Sequence, residues 1–310
     1  MGIDCGGTNL KVALVKPGGE IFKWTLAPIN FKQKEERALR DIAKAVLTFL
    51  KKNEVTQVER VGMGIAGDVD QVEGVVRFSP NLGWKNVRVS APLCQALGMP
   101  VILDNDANCA AWGAYCLDAK RNCQNLLCLT LGTGVGGGVI LGRKLYRGST
   151  GSAGEFGHMS IQFNGRKCKC GNLGCLESML GAWGLTLSAE EGMDRGLSPE
   201  LLRLTANGKK KITPKLIARA AHRKDAFAVA LWQESGEHLG AALANLVNLF
   251  NPDRIVLCGG VSKVGKLLLD PTRRELAKRA FLVPAKHVRL TISQYDERLG
   301  VVGAALLASQ

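Results

Sequence analysis

Four residues of metal-ligand type, His158, Cys168, Cys170 and Cys175, lie between two glutamates, Glu155 and Glu177, in the stretches G-E-F-G-H-M-S and C-K-C-G-N-L-G-C-L-E. The three thiols fall within eight residues on a loop carrying Gly171 and Gly174. Such a loop can close tightly, and the imidazole completes the Cys₃His set that tetrahedral zinc prefers. A disulfide serves these residues less well, because a bridge between Cys168 and Cys170 would be strained and would leave Cys175 without a local partner. With four protein ligands no position is left for water. The metal is therefore expected to be structural, and the flanking glutamates become candidates for the chemistry that the clamp supports.

A second kind of chemistry is suggested by glycines that follow apolar runs. Ile3-Asp4-Cys5 leads into Gly6-Gly7-Thr8-Asn9, and Leu127 to Leu131 leads into Gly132-Thr133-Gly134-Val135-Gly136-Gly137-Gly138. Paired glycines after a strand let phosphate oxygens reach main-chain N–H groups, and Thr8 and Thr133 could add hydroxyl donors. Gly132, Gly134 and Gly137 also fit G-x-G-x-x-G, the dinucleotide-binding pattern. That pattern should open a helix, whereas Val139-Ile140-Leu141 and a turn at Gly142 follow here. Tight turns alone are a third reading of the same glycines. Asp4 could hold magnesium through water or be a turn aspartate. Asp106, within Leu103-Asp104-Asn105-Asp106-Ala107-Asn108, could cap a helix or take part in hydroxyl recognition, and spacing leaves both open.

The elements that must position these groups read as α/β. Strand–glycine–strand units at the start and in the middle of the chain suggest a duplicated architecture with mixed sheets. A helix is expected at about 35–51, strands at 60–63 and 101–104, and a long apolar-periodic helix at 226–250, stopped before Pro252. Thr213-Pro214 reads as an N-cap and first-turn pair, and 254–258 reads as a buried strand ending in Gly259-Gly260. With 310 residues, 46% hydrophobic and 22% charged, the chain has enough core for two domains and excludes disorder. No apolar run is long enough to span a bilayer and no signal peptide is evident, so the cytoplasm is the expected compartment. The other cysteines are scattered among apolar or loop residues, as reduced thiols are. A formal charge of +14 raises the question of nucleic acid, but the basic residues are dispersed and no aromatics interleave with them. No specific nucleic-acid partner is expected, and the positive field suits anionic ligands.

The motifs D-C-G-G-T-N, P-N-L-G-W, D-N-D-A-N, L-G-T-G-V-G-G-G, G-E-F-G-H and C-K-C-G-N-L-G-C-L-E together resemble the ROK (repressor, open reading frame, kinase) sugar kinases, most closely bacterial ROK glucokinases. The resemblance implies two RNase H-like domains of the actin/Hsp70/sugar kinase superfamily around a hinged cleft. The first would be 1–106 with a C-terminal helix at about 297–310, and the second 107–296 with the zinc loop 158–175. It implies that Asp4, Gly6, Gly7, Thr8, Asn9 and Lys11 form a first phosphate motif, Gly132 to Gly138 a second, and Gly259-Gly260 an adenosine-side motif for magnesium ATP. It makes Asp106 the general base for the 6-hydroxyl of a hexose. Asn105 would bind the same end of the sugar, Glu155, His158 and Glu177 the anomeric end, and Gly67 and Asn81 would complete the pocket. His158 would give one ring nitrogen to zinc and the other to the sugar. Glucose is the implied substrate, with N-acetylmannosamine, N-acetylglucosamine and fructose as alternatives, and a homodimer is implied. Cys5 departs from the Ile or Leu usual in the family, and the first strand should be short. Family repressors carry a winged helix-turn-helix ahead of the first phosphate motif, and with that motif at Asp4 no DNA reading is expected.

Overall fold

The computed structural model describes residues 1–6 and 9–310 of the chain. The first sheet is built on alternation. In β1 (Gly2–Cys5) Ile3 and Cys5 are buried, and β2 (Asn9–Val15) pairs with it antiparallel and buries Leu10 and Val12. The hairpin continues into β3 (Ile21–Pro28), also antiparallel. In α1 (Glu35–Lys52), Leu39, Ile42, Val46, Phe49 and Leu50 recur at helical spacing and are buried. Acidic residues in its first turn and lysines in its last suit the helix dipole.

Next comes β4 (Val61–Ile65), buried at every residue and parallel to β1. A separate antiparallel meander follows, of β5 (Asp68–Asp70), β6 (Val75–Ser79) and β7 (Trp84–Arg88). The chain returns through α2 (Ser90–Leu97) to β8 (Val101–Asn105), which lies parallel to β4 and runs straight into α3 (Asp106–Leu117). The sheet order is β3-β2-β1-β4-β8.

The plan then repeats. The hairpin is β9 (Leu126–Leu131), β10 (Val135–Leu141) and β11 (Lys144–Tyr146). Helices α4 (Leu176–Leu180), α5 (Ala182–Asp194), α6 (Pro199–Leu204), α7 (Pro214–His222) and α8 (Ala226–Phe250) precede β12 (Arg254–Cys258). After α9 (Lys266–Arg279) and α10 (Leu282–His287), β13 (Arg289–Ile292) pairs parallel to β12, and α11 (Leu299–Ala308) ends the chain. The second sheet has the order β11-β10-β9-β12-β13, the same pattern as the first. This is the expected duplicated α/β architecture with mixed sheets.

The chain divides into two compact units. One comprises Met1–Cys128, Gly138–Gly154 and Gln294–Gln310, and the other Leu129–Gly137 and Glu155–Ser293. In the first, α11 is apolar all round and buried along its length, so it is a core helix packed on α3 and the sheet. Close approach requires glycine there. A Cβ on Gly62 of β4 would overlap the Ala304 carbonyl, and one on Gly303 would overlap the Cys109 carbonyl. In the second unit α8 packs on α9 and α7, and Asp225 caps it by accepting the Ala228 N–H at 2.9 Å. Among the described residues no helix is long and apolar enough to cross a membrane.

Candidate functional site

Asp106 stands at the corner where β8 becomes α3, in the first unit. Capping, one of the two readings open for it, is done by its neighbour. The Asn105 side-chain oxygen accepts the Ala107 and Asn108 N–H groups at 2.8 and 3.0 Å, and its amide donates to the Gly67 carbonyl at 3.0 Å. Asp106 is the first helical residue, with its own carboxylate 2.9 Å from the Ala107 nitrogen. Asn81 stays exposed in the turn between β6 and β7.

Asp104 holds this corner in place. One carboxylate oxygen accepts the Asn105 N–H at 2.8 Å and the Asn108 side chain at 3.0 Å, and the other accepts two Arg147 donors at 2.7 and 3.0 Å. Its side chain is only 7% exposed, so these bonds replace lost hydration. Sequence reasoning counted Asp104 only as a neighbour of Asp106 and missed Arg147, which lies 43 residues away with no local signal. Close to the same carboxylates, Cys109 and Cys5 are fully buried. Burial first pushes both thiols well up, followed by Asp104, Asp106 and Asp4 at Cys109 and by Asp4 and Asp106 at Cys5, so they stay protonated and pack as small apolar groups.

The glycine stretches expected to face phosphate are found in both units. In the first, Asp4 and Lys11 are cross-strand partners on β1 and β2 and form an ion pair at 3.1 Å. The Gly6 N–H donates to the Asn9 carbonyl at 3.0 Å, while Gly7 and Thr8 lie outside the described residues. In the second, Gly132, Thr133 and Gly134 make the turn between β9 and β10, with the Gly132 N–H 3.0 Å from the Gly134 carbonyl. Val135, Gly136 and Gly137 already belong to β10. Because the loop opens a strand and not a helix, the dinucleotide reading is set aside. Gly259-Gly260 follows β12 beside this turn, with the Val261 N–H donating to the Leu131 carbonyl at 2.9 Å. Gly138 serves packing instead: a Cβ there would crowd Ala111 and the Ala107 carbonyl of α3.

His158, Cys168, Cys170 and Cys175 converge as expected, with their ligand atoms all within 4.8 Å of one another. His158 Nδ1 is 3.9 Å from Cys168 Sγ, and Cys170 Sγ is 3.7 Å from Cys175 Sγ. Zinc bonds of ~2.3 Å to sulfur and ~2.0 Å to nitrogen give a tetrahedron with edges of roughly 3.5 to 3.8 Å, so the cluster fits the ion after a contraction of about an ångström at its widest edge. Backbone bonds fold the loop into this shape. Cys168 N–H donates to Asn172 O at 2.8 Å, Gly174 N–H to Arg166 O at 2.9 Å, and Ile161 N–H to Gly174 O at 2.8 Å. Gly174 sits at φ +66, and a side chain there would overlap the Gln162 carbonyl.

The three thiols crowd one another. Burial pushes the Cys168 thiol up, and burial followed by its hydrogen bond with Cys170 pushes Cys175 up to about 12. At Cys170, burial is outweighed by the Asn172 N–H and the neighbouring thiols, which hold it below the usual thiol range. A divalent cation offsets the crowding of three thiolates, as a structural zinc does. The other ring nitrogen of His158, Nε2, faces the Glu155 carboxylate at 3.8 Å. Glu155 and His158 are therefore adjacent, with the two imidazole nitrogens turned to different neighbours.

A duplicated five-stranded sheet with this connectivity is the RNase H-like fold of the actin/Hsp70/sugar kinase superfamily. The ROK family model matches residues 1–310, and the chain belongs to the ROK family. It is 34% identical over 314 residues to a glucokinase of Halalkalibacterium halodurans, covering 100% of this chain and 94% of that one. A putative xylose repressor of a Caldicellulosiruptor species is 32% identical over 309 residues, covering 99% of this chain and 77% of the repressor. The crystal structure of a ROK family glucokinase from Streptomyces griseus, in complex with glucose and AMPPNP, superposes with a TM-score of 0.85 at 35% identity, covering 100% of this chain and 98% of that one.

Proposed function

We propose that the protein is an ATP-dependent hexose kinase that phosphorylates the sugar 6-hydroxyl, with glucose as its substrate. The observation that carries this reading is Asp106, a carboxylate at the first position of α3, seated in a corner fixed by the Asn105 cap and by Asp104 with Arg147. A kinase needs such a group. It accepts the proton of the 6-hydroxyl as that oxygen bonds to the γ-phosphorus, and the bond from the γ-phosphorus to the bridging oxygen breaks to release ADP. The 132–138 motif would face the donor phosphates and Gly259-Gly260 the adenosine side, and Asp4 would hold magnesium through water. Asn105, Gly67 and Asn81 serve the sugar together with Glu155, His158 and Glu177. Asn105 has a second amide hydrogen for this, and the Glu177 carboxylate has lone pairs beyond those used within the protein. The Cys₃His cluster would hold a structural zinc, which would order the loop bearing His158. The glucokinase relatives, matched over nearly their whole length, support glucose as the sugar and ATP as the donor.

The similarity to a xylose repressor favours one second reading, a sugar-sensing regulator without turnover. A coupled assay with magnesium ATP across glucose, mannose, fructose, N-acetylglucosamine and N-acetylmannosamine separates the two. The kinase reading expects turnover with the highest kcat/KM for glucose. A preference for an N-acetylated hexosamine would reassign the sugar, activity with polyphosphate but not ATP would reassign the donor, and sugar binding without any phosphoryl transfer would favour the regulator.

A further inference from the structure

Glu177 joins the cysteine loop to the glycine turn between β9 and β10. Helix α4 begins immediately after the ligand Cys175, which places Glu177 in its first turn. One carboxylate oxygen accepts the Val135 N–H at 3.0 Å, and the other lies 3.4 Å from the Trp183 indole nitrogen and 4.0 Å from Cys168 Sγ. The carboxylate rests so closely on Gly134 that a Cβ at that position would overlap it. The same stretch is tied a second time through the backbone, where Gly181 N–H donates to the Glu177 carbonyl at 2.8 Å and Ala182 N–H donates to the Gly132 carbonyl at 2.9 Å. Lys169, between two of the cysteines, lies over the Trp183 ring at 4.8 Å from its centroid.

We propose that Glu177 is a positioning residue for the phosphoryl donor, in addition to any contact with sugar. By holding the Val135 N–H it fixes the 132–135 turn, and it carries the order of the Cys₃His loop into that turn. The open side of the turn is then left to the donor: a Cβ on Gly132 would have nothing within 4 Å. Order of this kind matters because a phosphate cradle works only when its N–H groups converge before the ligand arrives. The inference rests on the reading of 132–138 as the phosphate loop. A residue acting on the sugar alone would leave nucleotide binding untouched.

The test is calorimetric titration of the protein with magnesium AMPPNP in the absence of sugar, and with glucose in the absence of nucleotide. In Glu177→Asp the carboxylate is withdrawn by one methylene, and nucleotide affinity is expected to fall about tenfold, the low end for disturbing groups that support a site. In Glu177→Gln the amide oxygen still accepts the Val135 N–H, so nucleotide affinity should stay within about threefold of wild type. Wild-type protein stripped of metal by a chelator and dialysed should lose nucleotide affinity as Glu177→Asp does, which keeps the test available should that variant fold poorly. The control is Gly132→Val, whose Cβ would meet nothing within 4 Å but whose branches intrude on the open side of the turn. Loss of nucleotide binding in Gly132→Val, with Glu177→Asp and the stripped protein both binding as wild type, would overturn the proposal alone. Normal nucleotide binding in Gly132→Val would overturn the phosphate-loop reading and this proposal with it.

Discussion

Arg147 reaches Asp104 through two of its nitrogens, and this pair decides how firmly Asp106 is held. Removing the guanidinium in Arg147→Ala leaves a buried carboxylate with only its Asn105 and Asn108 donors, and breaking such a pair typically costs about 3 kcal/mol or more. The corner should also loosen, and displacements near 1 Å can cost ~10²-fold in turnover. Arg147→Ala is therefore expected to lower kcat more than it raises the KM for glucose, with Arg147→Lys, which lacks the planar fork, only partly restoring it. Steady-state kinetics with denaturant unfolding check this, and an unchanged kcat would remove Arg147 from the account.

Arg77 and Asp68 form a second such pair. Arg77 donates to both Asp68 oxygens at 2.7 and 2.9 Å, and Ser152 donates to one of them at 2.7 Å. The Arg77 hydrogen bonds, opposed by burial and helped by Ser152, hold the Asp68 carboxyl below the usual carboxylate range. A depressed pKa stabilises the fold above the unfolded value of about 3.9 and stops doing so as pH falls through the folded value. Arg77→Gln should thus be less stable than wild type at pH 6, with the gap closing as the pH is lowered below about 4. A gap that is constant over this range would mean the pair contributes nothing through charge.

The cysteine loop is the element that the sequence states most completely. Its ligands are close in the chain, so spacing and turn glycines were enough to see that they converge. Helices α7 and α8 were legible for a similar reason, since Thr213-Pro214 and the apolar period end to end are local signals. What stayed hidden depends on tertiary pairing. Arg147 with Asp104 and Glu177 with Val135 are more than forty residues apart, and no periodicity or turn chemistry reports such partners. From the sequence the cap reading falls on Asp106 and not on Asn105, one residue earlier, because adjacent Asn and Asp serve equally well until the backbone decides which stands before the helix. For the loop itself, metal analysis should find one zinc per chain. Removing it, or making Cys170→Ser, should weaken glucose binding by ~10 to 100-fold, the range seen when support around a metal is disturbed, and lower the melting temperature. A metal-free protein with unchanged glucose affinity and melting temperature would show that the thiols are incidental.

At the scale of the molecule, one sheet plan is used twice and then put to different uses. In the first copy β8 gives way to α3 at the acid Asp106, and the second surrounds its turns with glycine and a Cys₃His loop. The duplicated plan was readable from two strand–glycine–strand units. A formal charge of +14, dispersed over the chain, accords with an anionic nucleotide as partner. The most direct measurement is phosphate transfer from magnesium ATP to glucose, followed as glucose 6-phosphate, for the wild-type protein and for Asp106→Asn side by side. A hexose kinase that uses Asp106 as its base should turn over glucose in the wild type and lose ~10² to 10⁴-fold of kcat in the variant while glucose binding largely survives. A wild-type protein that binds glucose yet makes no sugar phosphate, or an Asp106→Asn variant with near-normal kcat, would contradict it.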